Sequence, residues 1–161
     1  METLLDELSA GFPDLAQIVR FLVRLGIAML LGAVVGFQRE RYGKPAGLRT
    51  HILVAMGSAL FVIAAIESGM TSDGVSRVIQ GLITGIGFIG AGAILKLGQD
   101  REIYGLTTSA GIWATAAVGV AVGLGLLGLA LVSVILIWFV LAGLGYIETR
   151  LKPSGEDKCA R

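Results

Sequence analysis

The residues able to do chemistry collect in two short blocks of this 161-residue chain. Arg39, Glu40, Arg49, Thr50 and His51 surround one loop between apolar runs, and Thr107 and Thr108 open a later run. Guanidinium forks match carboxylate or phosphate oxygens, and a helix start adds unpaired N–H groups and a positive dipole end. Two such starts, near Leu48 and Leu106, favour an anion: an anionic lipid or a phosphate-bearing ligand. Magnesium asks instead for several oxygen ligands, and the nearby carboxylates reduce to Glu40, Asp100 and Glu102, so direct metal binding stays open. Blander roles are available to the same residues. The basic loop serves as a positive-inside signal, Glu40 and Arg49 pair and pin it, and His51 either relays protons or caps a helix at the interface. No Ser-His-Asp arrangement, HExxH or Walker loop is present, so the sequence points away from an enzyme and implies no cofactor.

The elements that position these blocks are apolar. The chain is 55% hydrophobic and only 16% charged, with 24 glycines and three prolines. Soluble domains carry about a quarter charged residues, so this composition argues against a water-exposed globule. A formal net charge of +1 gives no footprint for nucleic acid. One cysteine, Cys159, permits neither an internal disulfide nor a cysteine metal cluster. Uncharged runs cover Leu25–Gln38, Thr50–Ile66, Val78–Leu95 and Leu106–Ile147. A bilayer core takes about 20 helical residues, so the last run holds a hairpin, with Gly119, Gly123, Gly125 and Gly128 marking its turn. Extending the first run back to Ala16 takes Arg20 and Arg24 into a span.

The expected fold is an all-α membrane protein with five transmembrane helices. Residues 1–15 form an acidic N-terminal tail, 16–147 the transmembrane domain and 148–161 a polar tail. The leading stretch has no basic residue before Arg20, unlike a signal peptide. Ten of the thirteen Lys and Arg fall in the first loop, the third loop and the C-terminal tail. Those three segments are therefore expected in the cytoplasm and the N-terminus outside.

Arg20, Arg24, Ala28, Gly32, Gly36 and Glu40 recur every four residues and share a helix face. Small residues at this spacing let helices approach closely, and Gly81/Gly85, Gly87/Ala91 and Gly119/Gly123 repeat the pattern. Ala28, Gly32, Gly36, Gly81, Gly85, Gly87 and Gly90 are the packing candidates, with a permeation path as the rival reading. The Ala28/Gly32/Gly36 face and the Gly119/Gly123 region are the expected seams of a homodimer. Gly85, Gly87 and Gly90 match G-x-G-x-x-G, but without a flanking strand they carry no dinucleotide fingerprint; they pack a helix or interrupt it. Arg24 is the intramembrane polar residue, with Glu67 as the expected partner. Gln80, Thr84, Ser58, Ser109 and Thr115 are available for bonds between helices. Trp113 and Trp138 suit packing or interface anchoring.

GFQRERYGKPAGLRTHILV over Gly36–Val54 and GLITGIGFIGAGAILKLGQDREIYGLTTSAGIW over Gly81–Trp113 closely resemble the membrane domain of the MgtC/SapB family of bacterial inner-membrane proteins. The resemblance runs from about Arg24 to Leu144. It places family motif positions on Arg24, Gly36, Arg39, Glu40, Arg49, Thr50, His51, Gly85, Gly87, Gly90, Thr107 and Thr108. Gln38 stands where the family frequently has an acidic residue. The resemblance implies an inner-membrane regulatory or accessory factor in magnesium or ion homeostasis or acid stress, working with a membrane protein complex. The alternative is a small oligomeric ion transporter or channel.

Overall fold

The computed structural model describes residues 14–96 and 103–144. The polar tail over 148–161 with Cys159, most of the acidic tail over 1–15, and Asp100 and Glu102 lie outside them.

Five helices carry the described chain. Helix α1 (Leu15–Arg41) starts directly after Pro13 and Asp14 and ends with Arg39 and Arg41 in its last turn, where cations complement the dipole. Gly43, at φ +62°, turns the chain into α2 (Leu48–Glu67). Helix α3 (Ser72–Gly92) is capped by Thr71, whose hydroxyl accepts from the Gly74 N–H at 3.4 Å. It runs unbroken through Gly85, Gly87 and Gly90, so the glycine cluster does not interrupt the helix. Strands β1 (Leu95–Lys96) and β2 (Ile103–Tyr104) then pair antiparallel, Leu95 opposite Tyr104. Gly105 follows at φ +95°, and a Cβ there would overlap the Ala93 carbonyl oxygen. Only glycine closes that turn. Helix α4 (Leu106–Gly123) and α5 (Leu127–Phe139, continued by one π turn over Val140–Leu144) form the expected hairpin. Its turn is shorter than the glycine run suggests. It occupies Leu124–Leu126, with Gly125 at φ +82°, while Gly119 and Gly123 belong to α4 and Gly128 to α5.

Helices α1 to α4 are each long and apolar enough to cross a membrane; α5 is a shorter apolar helix. Helix α2 is the hub, gripped by α1 on one side and α4 on the other, with α3 against α2 and α4 and α5 against α1 and α4. The grip is made by missing side chains. A Cβ on Gly32 would stand 2.7 Å from the His51 carbonyl oxygen, and one on Gly36 2.7 Å from the Leu48 Cα. A Cβ on Gly123 would meet the Val62 Cβ at 2.7 Å, and one on Gly119 would overlap the Ala55 carbonyl oxygen. The two glycine faces expected to join separate chains are thus consumed inside the protomer, where they bring backbones together. Small and β-branched residues fill the rest of this seam: Ala28, Val35, Ala55, Ala59, Val118 and Val122 are buried together with Ala130 and Val134 of α5. Phe37, Phe61, Phe88 and Leu131 point outward, as suits a chain whose surroundings are as apolar as its side chains.

The bundle has two distinct ends. Arg39, the starts of α2 and α4, and the β1–β2 pair gather at one, and Arg24, Glu67 and the α4–α5 turn at the other.

Candidate functional site

At the Arg39 end, the last turn of α1 and the first turns of α2 and α4 converge. Arg39 continues the stripe of Gly32 and Gly36, so the close approach that those glycines permit also carries its side chain inward. Only 5% of Arg39 is exposed. Its Nη2 donates to the Thr108 hydroxyl at 2.6 Å, and its Nε has no partner. Hydrogen bonds with one ionised member are the strong ones, and a buried guanidinium with a single neutral acceptor is incompletely satisfied. Gln38, on the Leu31–Val35 stripe beside it, is also buried, and both ends of its amide lack partners.

His51 lies fully inside the bundle, one turn into α2, rather than at a lipid-facing helix start. Its Nδ1 is 2.7 Å from the Thr115 Oγ1. The Thr115 hydroxyl donates its one hydrogen to the Gly111 carbonyl at 2.9 Å, within its own helix. With that hydrogen so used, the Thr115 oxygen accepts from His51 when the ring carries its proton on Nδ1. The other ring nitrogen, Nε2, is buried without a hydrogen-bond partner among the described residues. Arg39–Thr108 and His51–Thr115 are two cross-helix links into α4, about two turns apart on that helix. Both face α2 and α1 from the stripe of α4 that includes Gly111 and Gly119.

Glu40 takes a different partner from the expected one. Its carboxylate Oε2 accepts the Leu48 N–H at 2.8 Å and caps α2, where an anion answers both an orphan donor and the positive dipole end. Gly47 is at the helix threshold, where a Cβ would sit 2.9 Å from that oxygen. Arg49 is exposed and does not pair with Glu40; the one ion pair among the described residues is Asp73–Arg77, 3.0 Å apart on the surface of α3. Thr50 is half-buried, and Thr107 is exposed while its neighbour Thr108 is buried.

Arg24 departs from expectation in the same way. Its Nη1 donates to the Gly123 carbonyl at 2.9 Å, closing the C-terminus of α4, and Glu67 accepts from the Gln17 amide at 3.3 Å. A guanidinium at a helix C-terminus satisfies an orphan carbonyl and the negative dipole end together.

Among the described residues no three His, Cys, Asp or Glu side chains converge as a metal site. The packing glycines divide. Ala28, Gly32 and Gly36 are buried, and a Cβ on Gly90 would stand 2.5 Å from the Ser109 hydroxyl oxygen. Gly81, Gly85 and Gly87 have open space beside them. Gly81 and Gly85 line an apolar groove of about 760 Å³ between α2 and α3, with Leu53, Gly57 and Phe88. Thr84 bonds back to the Gln80 carbonyl of its own helix at 3.0 Å rather than across to another.

The sequence marks Arg39, His51 and Thr108 as candidates but not their joint burial, and Gln38 and Thr115 stand out in it less than they do in the bundle. The signal was available in the periodicity. Thr108, Gly111, Thr115 and Gly119 recur every three or four residues, so one face of α4 is small and polar throughout.

Residues 25–150 match the MgtC family. Protein SrpB of Synechococcus elongatus is 46% identical over 132 residues, covering 74% of this chain and 72% of its own length. A protein of Escherichia coli strain K12 named "Putative magnesium transporter YhiD" is 41% identical over 138 residues, 81% of this chain and 63% of its own length. Protein MgtC of Salmonella typhimurium is 40% identical over 117 residues, 73% of this chain. The alignment spans only 49% of that protein, so the chain corresponds to about half of it. No solved structure matches the chain.

Proposed function

The chain belongs to the MgtC family of multi-pass membrane proteins, and from that premise we propose that it is a regulatory or accessory factor in magnesium or ion homeostasis. The names of its relatives supply the homeostasis part of this reading, one being named "Putative magnesium transporter YhiD" and another "Protein MgtC". The accessory part rests on one observation. The glycine faces of α1 and α4 that offered a conduit are filled by neighbouring backbone at α1–α2 and α2–α4, with would-be Cβ contacts to backbone of 2.7 Å at Gly32 and Gly36 and 2.8 Å at Gly123. A seam packed at this distance has no room for a hydrated ion.

In this reading Arg39, Glu40, Arg49, Thr50, His51, Thr107 and Thr108 form the face presented to the cytoplasm of a bacterial inner-membrane protein. The excess of Lys and Arg at that end supports the orientation. Arg39 and His51 act as the buried base of the face, and Arg49, Thr50 and Thr107 as its accessible rim. The partners are the bilayer, anionic lipid or a phosphate-bearing ligand, a membrane protein complex and a second copy of the chain.

The transport reading is favoured by the name of the Escherichia coli relative, and it needs the conduit to lie between protomers. Purified protein in liposomes loaded with a magnesium indicator separates the two. Absence of selective flux, with a membrane complex that co-purifies with the chain and is lost in Arg39→Ala, supports the accessory role. Magnesium flux that scales with protein and is abolished by Glu40→Gln overturns it.

A further inference from the structure

The end of the bundle opposite Arg39 carries a cavity of about 250 Å³. It is smaller than the roughly 300–1,000 Å³ that hold drug-sized ligands, and of headgroup rather than cofactor scale. Its walls combine two guanidiniums, Arg20 and Arg24, with the carboxylate of Glu67, the amide of Gln17 and the apolar Phe21 and Leu124.

The charges are arranged rather than scattered. Arg20 and Arg24 are one helical turn apart on α1, so they present like charges to the same space. Neighbouring like charges destabilise a helix, and an anion between them reverses that. Arg24 is held in place. Its Nη1 is spent on the Gly123 carbonyl, and the missing side chain of Gly125 leaves room for the guanidinium, a Cβ there lying only 2.9 Å from Nη2. The other donors of the fork are not used by that bond. Glu67, on the far wall, is oriented by Gln17 at 3.3 Å. Two cations against one carboxylate leave the lining net positive, with its negative member on one side.

The level in the membrane matters as much as the charge. Arg24 lies beside the end of α4, and Glu67 is the last residue of α2. Both helices are long enough to span, so the cavity stands where the hydrocarbon gives way to polar headgroups. Phe21 and Leu124 add apolar surface to the same lining.

We propose that this cavity binds a phosphate–amine group of phosphoethanolamine type, the phosphate on Arg20 and Arg24 and the ammonium on Glu67. A lipid headgroup and a free phosphoethanolamine share this chemistry. Planar guanidinium forks match phosphate oxygens, and the opposite wall then selects among phosphates by the charge of the substituent they carry.

The test is native mass spectrometry of the detergent-purified chain titrated separately with short-chain phosphatidylethanolamine, short-chain phosphatidylglycerol and free phosphoethanolamine. Variants are placed at Arg20 and Glu67, both exposed, because Arg24 also closes α4; circular dichroism confirms their helix content. Saturable binding of phosphatidylethanolamine, weakened about tenfold or more in Arg20→Gln, is the expected result. Glu67→Gln should erase the preference over phosphatidylglycerol. Binding of free phosphoethanolamine at equal strength would support the site and make its ligand soluble. The proposal fails if none of the three saturates, if Arg20→Gln binds like the parent, or if phosphatidylglycerol already matches phosphatidylethanolamine in the parent chain.

Discussion

The Arg39 guanidinium and the Thr108 hydroxyl, 69 positions apart in sequence, meet at 2.6 Å inside the bundle and tie the end of α1 to the start of α4. Among the described residues the bond is the one hydrogen bond made by the Arg39 side chain, so removing its acceptor leaves the buried charge poorly compensated. Thr108→Val keeps the shape and deletes the oxygen. It should cost about 1.5–3 kcal/mol in reversible unfolding from mixed micelles, the range for hydrogen bonds to charged groups. Thr107→Val, one residue away on the exposed face, should stay within about 0.5 kcal/mol. Equal effects at the two positions would mean that the link contributes nothing.

Glu40 predicts a helix-capping effect. Its carboxylate accepts the Leu48 N–H at 2.8 Å, and side-chain caps contribute about 0.5–2 kcal/mol. Glu40→Ala should therefore lower stability by that amount, and Glu40→Gln, which retains an acceptor but not the charge, by less. Amide hydrogen exchange at Leu48–His51 is the direct readout. Faster exchange confined to the first turn of α2 is expected in Glu40→Ala. Unchanged exchange there would remove the cap.

Much of the fold was legible because membrane helices announce themselves by length and by where charge stops. The starts near Leu48 and Leu106 and the backward extension of α1 through Arg20 and Arg24 all follow from uncharged runs and from the residues beside them. Partner choice was not legible in the same way. Arg24 and Glu40 each had an opposite charge within reach, yet both bond to backbone at a helix end. An orphan carbonyl or N–H at a terminus competes with a side chain of opposite charge, and the sequence displays only the latter. The glycines show a second limit. The four-residue spacing identifies close approach for Gly32 and for Gly81 alike, but one faces a neighbouring backbone and the other open space. Which face of a helix turns inward depends on its rotation against neighbours, and small residues on both sides leave that undetermined.

That division makes a prediction for the glycines. A leucine at Gly119 must push against the Ala55 backbone, and one at Gly32 against that of His51. Overpacking costs about 1–3 kcal/mol even where side chains can give, and backbone gives less. Gly119→Leu and Gly32→Leu should reduce folded yield in the membrane sharply. Gly81→Leu and Gly85→Leu meet nothing within 4 Å in the protomer and should fold normally. Because the α1 and α4 glycines are occupied, self-association is expected to use the α3 side. Energy transfer between labelled chains in nanodiscs should drop in Gly81→Leu and Gly85→Leu without loss of folded protein. Unchanged transfer would move the contact elsewhere.

The final prediction ranks the basic residues of the Arg39 end. Arg39, Lys44 and Arg49 carry the same charge, so a pure topology signal would treat them alike. Their surroundings differ. Lys44 and Arg49 are exposed, while Arg39 is 5% exposed and bonded to Thr108. Removing one exposed cation changes long-range potential slightly, whereas replacing Arg39 takes away the group on which the buried base of the face is built. Arg39→Ala should therefore abolish function, and Arg39→Lys should fail as well, because a point charge on a flexible stem does not reproduce a fixed fork. Lys44→Ala should remain close to the parent, and Arg49→Ala, which removes an exposed cation from the rim of the face, should fall between it and Arg39→Ala. Growth at low magnesium and at acid pH, with each variant at matched membrane abundance, is the measurement. Loss in Arg49→Ala comparable to that in Arg39→Ala would shift the functional weight to the exposed rim of the same face, and equal, slight losses in all three would reduce the end to an orientation signal.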